Sequence, residues 1–401
     1  MLAFSLLRCS SQYWSGLEDW EIVAAARKKL FFTQFNPRNV NHVFAAFAVR
    51  ICLEIGEGNE SERLARDALQ SHMRILRGTQ GQAVITVSPS EPMLAIAAAD
   101  ALNDSVKIYQ DAMNTLVNHL ILRGIVIDRG MQGELCTRLL FTLARDKAIR
   151  STAQLTGTSH KVQAISLSNF LRALLGNNIG ISDERLRASF LSDLSNIWIN
   201  FTHFVQLSKA VTELSPTCLL EAWSSGIAVQ CAPFQPVIDG FLVCYMGNLD
   251  DPFDIKNLTA IPWQTKARSQ AASITSVNQL TAPPITKMVD GKTIQSKTHP
   301  LVIFMDLGTL SQFQKNSRHV NLTFTTATIP TKRTWDGYAR DNTEEPTRYC
   351  LNIRGHKSST YDVMKDFPTQ LDSLFQFLVR PDSFEEFLDG MDKDMQRLEE
   401  K

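Results

Sequence analysis

The spacing of apolar residues changes near residue 197, and this change predicts two kinds of structure in one chain. Before it, apolar residues recur every three or four positions, as in residues 61–77, where Leu64, Ala68 and Leu69 share one face. After it, apolar and polar residues alternate, as in residues 197–204. The sequence therefore predicts an α+β protein, with a helical N-terminal module followed by a mixed α/β domain.

Helical periodicity dominates the first half of the chain. The segments with this period are 37–55, 61–77, 90–102, 106–123 and 131–147, and one β-branched stretch, 83–87, predicts a short strand among them. Helices with one short strand are typical of a bundle or of a winged-helix-like module. No basic recognition face marks a helix for a DNA groove, so both interpretations stay open.

We place the domain boundaries where composition changes. The predicted units are a helical module at 1–150, a linker with short helices at 151–198, a restriction-endonuclease-like α/β domain at 199–360 and acidic helices at 361–401. Formal net charge is zero for the whole chain, but the α/β segment carries 15 basic and 12 acidic residues and the C-terminal segment carries 5 and 11. This weak basic excess neither requires nor excludes a nucleic-acid partner.

The cysteine pattern and the lengths of the apolar runs predict the cellular compartment of the protein. Seven widely spaced cysteines, an odd number and without a C-x-x-C pair, predict free thiols in a reducing compartment and no structural zinc knuckle. Residues 1–8 lack the basic start and cleavage site of a signal peptide, and no apolar run approaches the ~20 residues of a membrane span. We expect an intracellular protein, nuclear or cytoplasmic, without a membrane partner.

The most informative polar residue is an aspartate inside an apolar segment. Asp239 lies between Val237-Ile238 and Phe241-Leu242-Val243, and a buried carboxylate is costly unless it is paired, protonated or bound to a metal. Gln264 and Lys266 end the next apolar strand and, two residues apart, face the same side. Glu221 lies on a short helix predicted at 216–224. These four residues form the predicted site.

The same residues carry a resemblance to a known family. The segments 235–240 (QPVIDG) and 263–268 (WQTKAR), with Glu221 as the helix acid, resemble the PD-(D/E)XK nuclease superfamily, in the variant with glutamine in the last motif. More broadly, the chain is similar to the nuclease half of the Crinkler-type and transposon-derived proteins of fungi, in which an NTPase module precedes a nuclease module.

The resemblance implies a metal-dependent nuclease. Asp239, Glu221 and Gln264 would bind Mg²⁺, with Mn²⁺ as a substitute, and Lys266 would complete the catalytic set. The implied substrate is nucleic acid, with DNA favoured. No Gly-x-x-x-x-Gly-Lys-Ser/Thr loop occurs in the sequence, so an NTPase would have to act in trans. The alternative is an inactive nuclease fold that serves as a scaffold for protein or nucleic acid.

Other residues are weaker candidates for a functional role. Gln-x-Lys also occurs at 295–297 and Asp-x-Lys at 254–256, but neither follows an apolar strand as Gln264 does. Arg268 and Arg354 are candidate phosphate contacts, although surface arginines are common. Asp306 ends another apolar strand and either lies near the site or caps a loop. His203, alone on its strand, is more typical of a structural histidine than of a metal ligand.

Overall fold

The computed structural model describes residues 19–80, 83–127, 132–156, 164–176, 184–232, 235, 237–266, 285–289, 292–297, 300–307, 320–325 and 348–378. The helices in these ranges are α1 (Asp19–Phe31), α2 (Val40–Ile51), α3 (Asn59–Ser71), α4 (Pro92–Leu102), α5 (Val106–Thr115), α6 (Gln132–Thr156), α7 (Leu167–Leu175), α8 (Glu184–Asp193), α9 (Pro216–Ser224) and α10 (Pro368–Leu378). The strands are β1 (Glu54–Ile55), β2 (Ile75–Gln80), β3 (Ala83–Val87), β4 (Val126–Ile127), β5 (Ile165–Ser166), β6 (Ile197–Ile199), β7 (His203–Gln206), β8 (Ile227–Gln230), β9 (Gly240–Met246), β10 (Leu258–Lys266), β11 (Ile285–Val289), β12 (Lys292–Lys297), β13 (Leu301–Asp306), β14 (Val320–Thr325) and β15 (Arg348–Arg354). The predicted α+β class, with a helical N-terminal region, is confirmed.

Local capping explains where several helices begin. Asn39 precedes α2 and its side chain accepts from the amides of Asn41 and His42. Ser105 and Ser215 cap α5 and α9 in the same way, each accepting from the amide three residues later. The helix predicted at 106–123 continues from α5 into a π-helical segment, Leu116–Ile121. The predicted helix at 216–224 and the predicted strand at 83–87 have the same bounds in the structure.

The strands of the second half form one mixed sheet. Its order is β14-β15-β13-β10-β9-β6-β5, and β8, which also pairs with β9, carries β7 on its other side. β9 and β10 are antiparallel, whereas β10, β13 and β15 run parallel. The carboxyl ends of three strands therefore meet at one edge of the sheet.

Helices cover this part of the sheet on both sides. On one side, Phe141 of α6 packs edge to face on Trp263 of β10 with ring centroids 6.0 Å apart. On the other side, Leu219 and Trp223 of α9 belong to a cluster with Phe241 of β9. The sheet residues alternate between the two sides, as the period of two requires.

One hydrophobic cluster joins the N-terminal helices to the sheet. It extends from Val23 in α1 to Phe375 in α10 and includes Phe141 and Trp263. The boundary predicted at residue 150 falls inside α6, and the predicted linker supplies β5, α7, α8 and part of β6. The described structure does not divide at the predicted boundary, because α6 packs its apolar face on the sheet.

Several sequence-based expectations fall on other parts of the chain. The Asp290-Gly291 turn, Cys9, residues 157–163 and the acidic segment after residue 378 lie outside the described residues. The six cysteines in the described ranges form no disulfide. Within those ranges, no helix combines the length and the apolar character needed to span a membrane.

Candidate functional site

Polar residues gather where the parallel strands end. Lys266 is the register partner of Asp306, and Asp306 is the register partner of Arg354. The last residues of β10, β13 and β15 therefore lie side by side. Asp306 is fully buried, whereas Lys266 and Arg354 are half-buried. Ligands bind to sheets of this kind outside the carboxyl ends of the strands, which makes this edge the first place to look for a site.

Asp239 is fixed at the same edge by three hydrogen bonds. Its backbone amide donates to the carbonyl of Trp263 over 3.0 Å, and its carbonyl accepts from the amide of Cys231 over 2.8 Å. Its carboxylate Oδ2 accepts from the amide of Thr265 over 2.6 Å. The aspartate is thus held between β8 and β10, just before β9 begins.

The end of the β9–β10 pairing places Asp239 beside the last residues of β10. Gly240 pairs with Trp263, and Asp239, the residue before Gly240, accepts from the amide of Thr265. Thr265 turns towards α6, where its hydroxyl bonds that of Thr137 over 2.7 Å, so Gln264 and Lys266 lie on the other face of β10. Lys266, on that face, and Glu134 of α6 both act on the pKa of Asp239. The structure therefore brings Asp239 and Lys266 close together, and Gln264 shares the face of Lys266.

The electrostatics of Asp239 differ from those of an ordinary surface carboxylate. Burial raises its pKa, the hydrogen bond from the Thr265 amide lowers it, Glu134 raises it again and Lys266 lowers it, with a net rise to about 7. Glu134 is a half-buried residue in the first turn of α6. A second carboxylate therefore lies close enough to Asp239 for the two negative charges to repel each other.

Glu134 is itself oriented by a buried chain of hydrogen bonds. Gln230 is fully buried and donates from Nε2 to Glu134 Oε2 over 2.8 Å. Its Oε1 accepts from Arg138, which lies one turn after Glu134 on α6. Both residues of α6 bond the side-chain amide of Gln230. These two bonds fix the position of the helix against the end of β8.

The predicted role of Glu221 finds no support in this arrangement. Leu219, Ala222 and Trp223 form the buried face of α9. Glu221 lies off this face and is exposed, and it influences Cys218 of its own helix. The structure brings Glu134, and not Glu221, to Asp239, because the helix that reaches this edge is α6.

The remaining predicted residues are distributed as follows. Arg268 lies outside the described residues. Arg354 ends β15 at the carboxyl edge described above, beside Asp306. His203 is buried at the start of β7 and contacts Ser90 and Thr202, so it is not part of the Asp239 group.

Sequence reasoning missed Glu134 because its local signal is ambiguous. An acidic residue in the first turn of a helix is common, since it interacts favourably with the helix dipole. The sequence also placed this residue in a different domain from Asp239. Only the packing of α6 on β10 reveals the proximity, and a hydrophobic pattern alone does not specify which helix covers which strand.

The donor atoms suit a hard cation better than a soft one. Asp239 and Glu134 offer carboxylate oxygens, and Mg²⁺ is commonly held by one or two carboxylates while it keeps several waters. Gln264, the third predicted ligand, faces away from α6, the helix that carries Glu134. Cys231, the nearby thiol, is a poor ligand, since burial first and then Asp239 and Glu134 raise its pKa to about 12. No group of three or more His, Cys, Asp or Glu residues that could hold a metal occurs in the described part of the chain. The residues present thus fit Mg²⁺ with two carboxylates and water.

A cavity of about 430 Å³ lies elsewhere, between α5, α6 and the segment after residue 361. Its cations are already paired, since Lys147 bonds Asp362 over 2.9 Å and lies 3.4 Å from Asp366. Lys147 and Glu134 are thirteen residues apart on α6, which corresponds to roughly 20 Å along the helix. This cavity is therefore separate from the Asp239 group.

Comparison with known proteins identifies no relative. No family model matches the chain, and no curated protein or solved structure is significantly similar to it.

Proposed function

We propose that this chain is a Mg²⁺-dependent nuclease that hydrolyses phosphodiester bonds of nucleic acid, with DNA as the expected substrate. One observation carries the proposal: a half-buried aspartate with a raised pKa lies close to a glutamate and a lysine at the carboxyl edge of parallel strands. A cluster of titratable groups with perturbed pKa values is typical of functional sites. The resemblance of this motif to PD-(D/E)XK nucleases supports the same assignment.

We assign one set of residues to the metal and another set to the phosphate. Asp239 and Glu134 would hold the cation. Burial and then the charge of Glu134 raise the pKa of Asp239, and a bound cation would offset the repulsion between the two carboxylates. Bound Mg²⁺ supplies a more acidic water and neutralises phosphate charge. Lys266 stabilises the negative charge that develops on the phosphate during hydrolysis, and Arg354 contacts the nucleic-acid backbone.

A matched pair of glutamate variants tests this proposal. Glu134 and Glu221 are both on helices next to the same sheet, but the charge of Glu134 acts on Asp239, whereas that of Glu221 acts on Cys218. We expect Glu134→Gln to lower Mg²⁺-dependent cleavage of plasmid DNA and of single-stranded RNA at least ~100-fold, whereas Glu221→Gln keeps it within a factor of two. Gel electrophoresis of the products with Mg²⁺ and with EDTA provides the measurement.

A pair of lysine variants provides the second arm of this experiment. Lys266→Ala should abolish cleavage, and Lys256→Ala, in the Asp-x-Lys sequence of an exposed turn, should leave it unchanged. Equal cleavage by the parent, Lys266→Ala and Glu134→Gln would rule out this site as the source of activity.

The alternative is an inactive nuclease fold that acts as a scaffold. The neutral Gln264, where most members of the resembled family carry a carboxylate, favours it. A parent protein that binds DNA in a gel-shift assay but cuts neither DNA nor RNA with Mg²⁺ or Mn²⁺ would establish this alternative.

A further inference from the structure

A serine and a histidine outside the Asp239 group are arranged as a nucleophile and its base. Ser90 is exposed in the turn between β3 and α4, and its hydroxyl lies 3.2 Å from Nε2 of His203. His203 is buried, with 1% of its surface exposed. The serine therefore presents its oxygen to solvent while its partner is held inside the protein.

The hydrogen bonds around His203 are compatible with the tautomer that a general base requires. The hydroxyl of Thr202 lies 3.2 Å from the carbonyl of Gly226 and 2.9 Å from Nδ1 of His203. In the tautomer in which Nδ1 carries the proton, this hydroxyl accepts from Nδ1 and donates to the Gly226 carbonyl. In the same tautomer Nε2 accepts from the Ser90 hydroxyl, which is the orientation of a general base.

Helix α4 begins at Pro92, two residues after Ser90. Glu91 occupies the N-cap position, but its side chain makes no capping hydrogen bond. The first amides of a helix have no partner within the helix, and the positive end of the helix dipole lies there. Ser90 is therefore adjacent in the chain to the positive end of a helix.

We infer that Ser90 and His203 form a second reactive site, a serine nucleophile that accepts acyl groups from small activated esters. Ser90 Oγ forms a bond to the ester carbonyl carbon while its proton passes to Nε2 of His203. The bond to the leaving alcohol then breaks, and the alcohol takes that proton. Water adds to the acyl-serine, gives its proton to Nε2, and Ser90 recovers a proton as the acid leaves.

The residue that orients the histidine limits the turnover rate of such a site. The group that orients His203 is the neutral Thr202, in a position where serine hydrolases use a carboxylate. A neutral group does not stabilise the imidazolium that forms, and replacement of the carboxylate by a neutral amide, which also changes the histidine tautomer, lowers kcat on the order of 10⁴-fold in a serine protease. The site is accordingly a slow esterase whose clearest signature is covalent labelling and not rapid turnover.

Labelling of the full-length protein with a fluorophosphonate probe tests the inference. We expect one equivalent of probe on Ser90, identified by peptide mass spectrometry, with fluoride as the leaving group. Ser90→Ala should abolish the labelling, and Ser151→Ala, at an exposed serine on α6, should leave it unchanged. Labelling that is absent from the parent, or that persists in Ser90→Ala, would overturn the assignment.

A cysteine variant tests the histidine without altering the buried residue. In Ser90→Cys, the new thiol lies beside Nε2 of His203, which favours its thiolate form. We expect iodoacetamide to alkylate this thiol at pH 7 at least ~10-fold faster than the exposed Cys218 of the same protein. Equal rates at the two positions would show that His203 does not activate residue 90.

Discussion

At the residue scale, the raised pKa of Asp239 makes the stability of this edge of the sheet depend on pH. The ordinary pKa of an aspartate, 3.8, applies to the unfolded chain, and the folded chain holds the group at about 7. Between these values the unfolded state releases its proton while the folded state retains it. Stability is therefore lost as the pH rises from about 4 to 7, and the loss is complete above pH 7.

Replacement of Asp239 by asparagine should remove this cost. The amide oxygen of asparagine can still accept from the Thr265 amide. In buffer with EDTA, we expect Asp239→Asn to raise the free energy of unfolding at pH 8 by roughly 1–3 kcal/mol, after allowance for solvent screening of a half-buried group. Urea unfolding at pH 8 and pH 4 measures it, and the gain should vanish at pH 4. The exposed Asp254→Asn is the control, and a gain at pH 4 as large as at pH 8 would contradict the assignment.

Magnesium binding should depend on pH for the same reason. If Asp239 holds Mg²⁺ as proposed, the cation would replace the proton on its carboxyl, and binding would release that proton wherever the group is still protonated. We expect Mg²⁺ to raise the melting temperature of the parent protein more at pH 8 than at pH 6, and to have no effect on Asp239→Asn. Thermal unfolding with and without Mg²⁺ at the two pH values is the measurement. An equal rise for parent and variant would show that the cation binds elsewhere.

The sequence predicts the individual residues of this site unevenly. Asp239, Gln264 and Lys266 stand out in the sequence because each interrupts or ends an apolar strand, and strand alternation gives Gln264 and Lys266 a common side. The proximity of Glu134 to Asp239 could not be predicted, because no local sequence pattern indicates that the helix of Glu134 packs on β10. Glu221 had the expected spacing in the sequence, but its position relative to the buried face of α9 directs it to solvent.

At the element scale, the close approach of β8, β9 and β10 determines where Asp239 lies. A Cβ atom at Gly240 would come within 2.3 Å of the Val229 carbonyl oxygen and 2.4 Å of the Trp263 ring. Neither neighbour can yield, because one is backbone and the other is a fully buried ring. The absence of a side chain at this position is what allows the preceding residue, Asp239, to lie between β8 and β10.

We therefore expect Gly240→Ala to destabilise the protein by at least ~2–3 kcal/mol and to displace Asp239. Gly78→Ala is the matched control, because nothing lies within 4 Å of a Cβ atom there and its backbone is also extended. Chemical denaturation of both variants provides the measurement. A Gly240→Ala protein as stable as Gly78→Ala would refute this account of the strand packing.

The bounds of the elements follow from the sequence where local chemistry determines them. α9 begins after Ser215 and ends at Ser224, and both ends were predictable from the serine cap and the following Gly226. The sheet order was not predictable, because β10 skips over more than thirty residues to pair in parallel with β13. Pairing between strands so distant in sequence is selected by the whole core and not by any local signal.

At the scale of the whole molecule, a buried ionic network connects the helical region to the sheet. Arg50 of α2 and Asp146 of α6 form two hydrogen bonds of 2.6 and 2.8 Å, and both are almost completely buried. Tyr109 of α5 donates to the same carboxylate over 2.9 Å. The Arg50 Nε also lies 3.4 Å from the carbonyl of Thr202, just before β7. The arginine beside Asp146 holds the pKa of that carboxyl well below its usual range.

Asp146→Ala should consequently destabilise the N-terminal helices and the sheet together. The variant leaves a buried guanidinium without its carboxylate, which typically costs ~3–5 kcal/mol. If the cluster from Val23 to Phe375 unfolds as one unit, native-state hydrogen exchange should show an equal loss of protection for amides of α2 and of β10. Asp111→Ala removes a pair with exposed cations, Lys107 and Arg38, and should cost less than ~1 kcal/mol. Loss of protection confined to α2 would mean that this helix unfolds separately from the sheet. In that case, only the contacts of α6 with the sheet would hold Glu134 near Asp239.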